Sequence, residues 1–106
     1  MATNVRQTIA ATSDGLLTKY VGTSATTITR ARIMSVQAQS RAAEGSVKIY
    51  NEDDSSKTAS ALVFEAKWGT AANESLTFYL PQNGIRCKTA MHAVLSNCDF
   101  LVVTFD

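Results

Sequence analysis

The fold is decided at the end of the chain, in "GIRCKTAMHAVLSNCDFLVVTFD", residues 84–106. Its last apolar run alternates strictly, with Phe100, Val102 and Thr104 on one side and Leu101, Val103 and Phe105 on the other. β-Branched and aromatic residues favour strands, and a period of two places successive side chains on opposite faces of a sheet. Because both faces of this run carry apolar residues, we expect a central strand or one covered by a neighbouring subunit.

A second expectation concerns how this segment pairs. Residues 90–95 and 100–105 are both strand-like, and the polar stretch 96–99 between them is typical of a turn. We therefore predict a closing hairpin. If a neighbouring copy covers the last strand, it would contact the face that does not carry Phe100 and Val102. The residues of that face are Leu101, Val103 and Phe105.

The rest of the chain carries the same signals. "SVKIY" (46–50), "SALVFEAKW" (60–68) and "SLTFYL" (75–80) alternate in hydrophobicity, and turn-forming stretches such as "SDG", "NEDDSSK" and "PQNG" separate them. Short alternating strands with a turn about every ten residues are typical of sandwiches and barrels. We predict an all-β fold: a small antiparallel β-sandwich, or a partly closed barrel, of about seven or eight strands.

A length of 106 residues indicates a single domain. Residues 13–106 would form the β-sandwich domain, and residues 1–12 either an edge strand or an arm that reaches away from it. Val5, Arg6 and Ile9 are the candidate contacts of this segment. Residues 26–39 are predicted to form a strand, and residues 40–44 could form a short helix.

Composition limits the classes of partner. Ten basic and nine acidic residues give a net charge of +1, so the chain gives no reason to propose nucleic acid or a membrane surface. The charges are unevenly placed, with a net of +4 over residues 1–48 and −3 over 49–106. A protein that meets copies of itself or an acidic scaffold could use this polarity. No signal peptide or membrane span is recognisable, so synthesis in the cytoplasm of the producing cell is expected.

Candidate catalytic and metal-binding residues are few. Cys87, Cys98 and His92 have no ligand-pair spacing for zinc, and the two cysteines are expected to be unreactive thiols. His92 has no evident nucleophile or acid beside it and is expected at the surface or in an interface. We predict no catalytic residue, no metal and no cofactor, and consider a small-molecule ligand unfavoured.

Two further clusters have alternative interpretations. The acidic stretch "NEDDSSK" (51–57) fits a solvated loop better than a calcium site, because the EF-hand order of ligands is missing. Trp68, with Tyr20, Tyr50 and Tyr79, could form an aromatic platform for sugar. Trp68 nevertheless continues an apolar face, which favours a place in the core.

Three stretches resemble small all-β virion proteins of tailed bacteriophages, notably phages of marine bacteria. They are "GSVKIY" (45–50), "LPQNGIR" (80–86) and "VLSNCDFLVVTF" (94–105). The resemblance covers about the last 60 residues of the 106. Cys87 and Cys98 depart from the pattern, since family members carry other residues there.

The resemblance implies a non-enzymatic virion protein. Its leading form is a capsid decoration (cement) protein on the capsid surface, made in the host cytoplasm, with the major capsid protein and copies of itself as partners. A tail, collar or fibre-adaptor protein of the same fold is the alternative. A carbohydrate-binding module using Trp68 is a third, less favoured interpretation.

Overall fold

The chain folds into two antiparallel β-sheets that pack face to face. The computed structural model describes residues 7–21, 24–41, 44–69, 74–80 and 84–106. Within these ranges there are eleven strands, one 3-10 turn (Ala59–Ala61) and no α-helix. The strands are β1 (Gln7–Ala11), β2 (Gly15–Leu16), β3 (Thr18–Val21), β4 (Ser24–Thr27), β5 (Ala31–Ser40), β6 (Gly45–Tyr50), β7 (Leu62–Trp68), β8 (Ser75–Tyr79), β9 (Ile85–Cys87), β10 (His92–Ser96) and β11 (Cys98–Phe105).

This architecture confirms the predicted all-β class and the small β-sandwich. The larger sheet has the order β1-β11-β5-β8, and β9 also pairs with β5, beyond the end of β8. The smaller sheet has the order β2-β10-β6-β7, while β3 and β4 form a separate hairpin. The strand count exceeds the predicted seven or eight because β2, β3, β4 and β9 are only two to four residues long. No helix among the described residues is long and apolar enough to cross a membrane.

The hydrophobic core lies between the two sheets. The larger sheet contributes Val36 of β5 and Val103 of β11, and the smaller sheet contributes Val47 and Ile49 of β6, all 0% exposed. The predicted alternation places them there, since every second residue of each strand points to the facing sheet.

Our prediction of a hairpin at the end of the chain is wrong. Strand β10 pairs with β2 and β6 in the smaller sheet, whereas β11 pairs with β1 and β5 in the larger sheet. Asn97, between the two strands, has a φ of 49°, and in this left-handed conformation the chain crosses from one sheet to the other. The crossover lets both strands take inner positions, where each buries one apolar face against the opposite sheet.

The predicted contact role of Leu101, Val103 and Phe105 also needs correction. They are 0%, 0% and 4% exposed and belong to the chain's own core, so no partner reaches them in the folded protein. The central-strand interpretation of β11 is confirmed, because β1 and β5 flank it on both sides. The outward side of β11 is therefore the one with Phe100 and Val102.

The first segment adds an edge to the larger sheet. Residues 7–11 form β1, which pairs with β11 and places Ile9 opposite Val103. The candidate contacts Val5 and Arg6 lie outside the described residues. Strand β5 extends to Ser40, so the predicted helix does not begin there; residues 42–43 are also outside the described ranges.

Candidate functional site: the outer face of the larger sheet

Among the described residues, the middle of the outward side of the larger sheet carries no charged side chain. Cross-strand register aligns three rows of outward side chains, one each from β5, β8 and β11. We call these nine residues the uncharged face: Ser35, Gln37, Gln39, Ser75, Thr77, Tyr79, Phe100, Val102 and Thr104.

Apolar and aromatic groups stand among the hydroxyls and amides of this face. Tyr79 is 80% exposed, while Phe100 and Val102 are half-buried. A depression of about 210 Å³ lies beside Phe100 and is lined also by Gln37 and Thr77. The cores of protein interfaces are depleted in charge and enriched in aromatic residues, and this face shares both features.

The outward side of the smaller sheet is built differently. Lys48 of β6 lies opposite Glu65 of β7, and the carboxylate of Glu65 is 3.7 Å from the Lys48 ammonium and 3.6 Å from that of Lys67. Interleaved charges of both signs favour contact with water. The two sides of the sandwich therefore differ, and the uncharged face is the better candidate for contact with another protein.

A cavity of about 490 Å³ lies at one end of the larger sheet. We call it the basic cavity, because four of its eight lining residues are cationic. The lining consists of Arg30, Ala31, Arg32, Gly84, Arg86, Cys87, Lys88 and Asp106.

Strand register explains how these cations meet. Pairing of β5 with β9 sets Arg32 opposite Arg86, and both side chains are exposed. Asp106 continues the strand on the other side of β5, where its backbone N–H donates to the Arg32 carbonyl at 2.9 Å and its carbonyl accepts from the Arg32 N–H at 3.0 Å. Its carboxylate lies 3.0 Å from the Arg32 guanidinium.

The sequence did not predict this cavity. The sequence nevertheless contains a pattern that is consistent with the cavity. Two short segments, "RAR" (30–32) and "RCK" (86–88), each carry cations two residues apart, a spacing that would place both charges on one side of an extended segment. What the sequence could not show is that these two segments are neighbours.

His92 is buried, so its predicted position at the surface or in an interface is wrong. It is 5% exposed and lies between Leu16 of β2 and Tyr50 of β6 in the smaller sheet. Its Nδ1 atom is buried without a hydrogen-bond partner among the described residues. Tyr50 is also buried, so this part of the smaller sheet is covered.

The two cysteines are free and buried. Cys87 pairs with Ala31 and Cys98 with Ser40, at opposite ends of β5. Nine residues of strand separate those ends by about 30 Å, too far for a disulfide within one chain. Burial raises the pKa of Cys87 to about 11 and also raises the pKa of Cys98, which makes both thiols poor nucleophiles.

The acidic stretch forms the exposed connection between β6 and β7. Asp54 Oδ1 accepts from the Ser56 backbone N–H at 3.0 Å; this bond and the Ser56 hydroxyl lower the pKa of Asp54, and nearby His92 acts in the same direction. Glu52 accepts from the Thr58 N–H at 3.3 Å. Throughout the described ranges, no three His, Cys, Asp or Glu side chains are grouped so as to hold a metal ion.

The aromatic residues considered for sugar binding do not share a surface. Trp68 packs against the core, as predicted, and its Nε1 is buried. Tyr50 is buried in the smaller sheet, whereas Tyr79 is exposed on the larger one. The side chain of Tyr20 lies outside the described part. Trp68, Tyr50 and Tyr79 therefore form no common platform.

Comparison with known protein families, with curated proteins and with solved structures found no match.

Proposed function

We propose that this protein is a non-enzymatic structural protein that docks on a multi-subunit particle through the uncharged face. In its leading form it is a capsid decoration protein of a tailed bacteriophage that bridges capsid subunits. The observation that carries the proposal is the contrast between the two sides of the sandwich. One side carries interleaved Lys48, Glu65 and Lys67, and the other is uncharged around half-buried Phe100 and Val102.

The physical reason is the cost of burying charge. An interface removes water from the side chains at its centre, and unpaired charges there are expensive. Hydroxyl and amide groups form hydrogen bonds with a partner at lower cost, while Phe100 and Tyr79 provide apolar area for contact. Many copies with modest interfaces can together stabilise a particle, because neighbouring contacts reinforce one another.

The resemblance of residues 45–50, 80–86 and 94–105 to virion proteins supports the choice of particle. It applies equally to tail, collar and fibre-adaptor proteins, and copy number separates these from a decoration protein. We expect hundreds of copies per virion for decoration and a few dozen or fewer for an adaptor. Quantitative mass spectrometry of purified virions, referenced to the major capsid protein, measures this number. Absence from virions would overturn the proposal.

A matched pair of variants tests the face itself. Val102 of β11 and Val94 of β10 are both half-buried valines on inner strands, and they point out of opposite sides of the sandwich. Val102→Glu places a charge on the uncharged face, whereas Val94→Glu places one opposite Lys48. We expect Val102→Glu to lose incorporation into particles and Val94→Glu to retain it. Thermal unfolding of both variants checks that each remains folded; full incorporation of folded Val102→Glu contradicts the assigned face.

A further inference from the structure

The basic cavity joins two segments that lie far apart in the chain. Residues 30–32 and 86–88 each carry cations two positions apart, and antiparallel pairing sets Ala31 opposite Cys87 and Arg32 opposite Arg86. Arg30 comes directly before β5, and Lys88 comes directly after β9. Arg32 and Arg86 thus face each other, and Arg30 and Lys88 line the same cavity of about 490 Å³.

This arrangement works against the stability of the free protein. Like charges directly opposite each other on neighbouring strands are destabilising. Asp106 compensates part of this charge through its contact with Arg32 at 3.0 Å. Among the described residues, Arg30, Arg86 and Lys88 make no salt bridge. The cavity therefore carries an uncompensated positive charge, which attracts an anionic group.

The contact between Asp106 and Arg32 indicates which anion fits. Asp106 belongs to an extended segment that runs beside β5, so backbone hydrogen bonds hold its carboxylate against the guanidinium. Strand β9 pairs only with β5 among the described residues, which leaves its other edge available. An extended segment beside β9 would bring a side chain to Arg86, and Lys88, the first residue after β9, lines the same cavity. Because every second side chain of an extended segment points the same way, the side chain two positions along would face this cavity too.

We propose that the basic cavity binds an extended acidic segment of a partner protein, with carboxylates at alternate positions that pair with Arg86 and Lys88. The inference rests on the proposed function for its class of partner, a protein in an assembly. It adds the place at which an acidic part of that partner binds. This place lies next to the uncharged face, on the same side of the larger sheet. Backbone pairing along an open strand edge would provide affinity, and the two cations would provide register.

Fluorescence anisotropy with labelled peptides tests the ligand chemistry. The probe is a short peptide that alternates threonine and glutamate, and its control replaces each glutamate by glutamine. A third peptide of the same composition groups its glutamates together, and a single-stranded oligothymidylate tests for nucleic acid. We expect the alternating glutamate peptide to bind most tightly and to weaken as salt is raised. Equal binding of the glutamine peptide, tighter binding of the grouped peptide or the oligonucleotide, or no binding of any probe would overturn the proposal.

A double variant tests the residues. We expect Arg86→Gln with Lys88→Gln to weaken peptide binding about tenfold or more, and Lys67→Gln on the smaller sheet to leave it unchanged. The melting temperature separates binding from folding, because removing Arg86 from its place opposite Arg32 should leave it the same or higher. Unchanged binding by the double variant contradicts the site. The result is independent of the Val102→Glu experiment, so the cavity and the uncharged face can fail separately.

Discussion

The side-chain oxygen of Asn51 binds the connection between β9 of the larger sheet and β10 of the smaller sheet. Asn51 directly follows β6 of the smaller sheet, and its Oδ1 accepts from the backbone N–H of Thr89 at 2.8 Å, two residues after β9 of the larger sheet. The N–H of Ala90 donates to the same atom at 3.4 Å. Because Lys88 precedes Thr89, this contact also holds one wall of the basic cavity.

Removing the Oδ1 acceptor of Asn51 should weaken the contact with the connection between β9 and β10. We expect Asn51→Ala to lower the free energy of unfolding by about 1 kcal/mol, since the Thr89 N–H loses its partner. Urea denaturation measures the change. Asn51→Asp keeps an oxygen in the same place and should cost less. Equal losses in the two variants would show that the Oδ1 acceptor is not what matters.

Gly45 is a position where the packing leaves no room for a side chain. It lies opposite Trp68 in the β6–β7 pair, and an added Cβ would collide with the Ser96 carbonyl and approach Trp68 Nε1 at 2.8 Å. We expect Gly45→Ala to destabilise the fold by about 1–3 kcal/mol, as overpacking does. Gly69→Ala is the control, because nothing lies within 4 Å of its added Cβ. Thermal unfolding of both variants measures the difference, and a mild effect at Gly45 would contradict the close packing.

Neighbouring valines test which side of β11 faces the core. Val103 is 0% exposed, whereas Val102 is half-buried on the uncharged face. Val103→Ala should cost about 2–3 kcal/mol from lost burial and the cavity that remains. Val102→Ala removes the same atoms and should cost less than about 1 kcal/mol. A larger loss at Val102, measured by denaturant unfolding, would reverse the assigned faces.

The buried Cys87 thiol predicts a loss of stability at alkaline pH. Its pKa is raised by burial from 9.0 to about 11, so above pH 9 the unfolded chain releases a proton that the folded chain retains. The free energy of unfolding therefore falls as the pH rises through this range. At about 1.4 kcal/mol per pKa unit, the loss reaches about 2 kcal/mol near pH 11 and disappears below pH 9.

Urea denaturation at a series of pH values measures this dependence. Tyrosine and lysine side chains titrate in the same range, so the same series on Cys87→Ala provides the reference. We expect the variant to be less stable at neutral pH, because a buried side chain has been shortened, and to show a shallower decline above pH 9. Parallel curves for the two proteins would exclude Cys87 as the source.

Local patterns predicted much of the secondary structure. In β8, Leu76 and Phe78 turn inward, and Ser75, Thr77 and Tyr79 are exposed, as their alternation indicated. The same reasoning gave the wrong burial for His92, because the local sequence shows it only as one polar residue in a short strand. His92 is buried because other parts of the chain cover that part of the smaller sheet. A local sequence pattern cannot show which parts of the chain will cover a strand.

The end of the chain shows the limit of such patterns. Strand β11 is apolar on both sides, so its alternation could not determine whether Phe100 or Leu101 faces the core. The expected hairpin rested on adjacency in sequence, but Asn97 directs β10 and β11 into different sheets.

The sequence by itself determined the all-β class, the positions of the longer strands and most of their alternating faces. These depend on side chains one or two residues apart, where a period of two is visible directly. Only the tertiary structure decided which strands pair, which side of β11 is buried and where charges meet. Arg32 and Arg86 are 54 positions apart in the chain and become neighbours because β9 pairs with β5. The uncharged face and the basic cavity both arise from such long-range pairing.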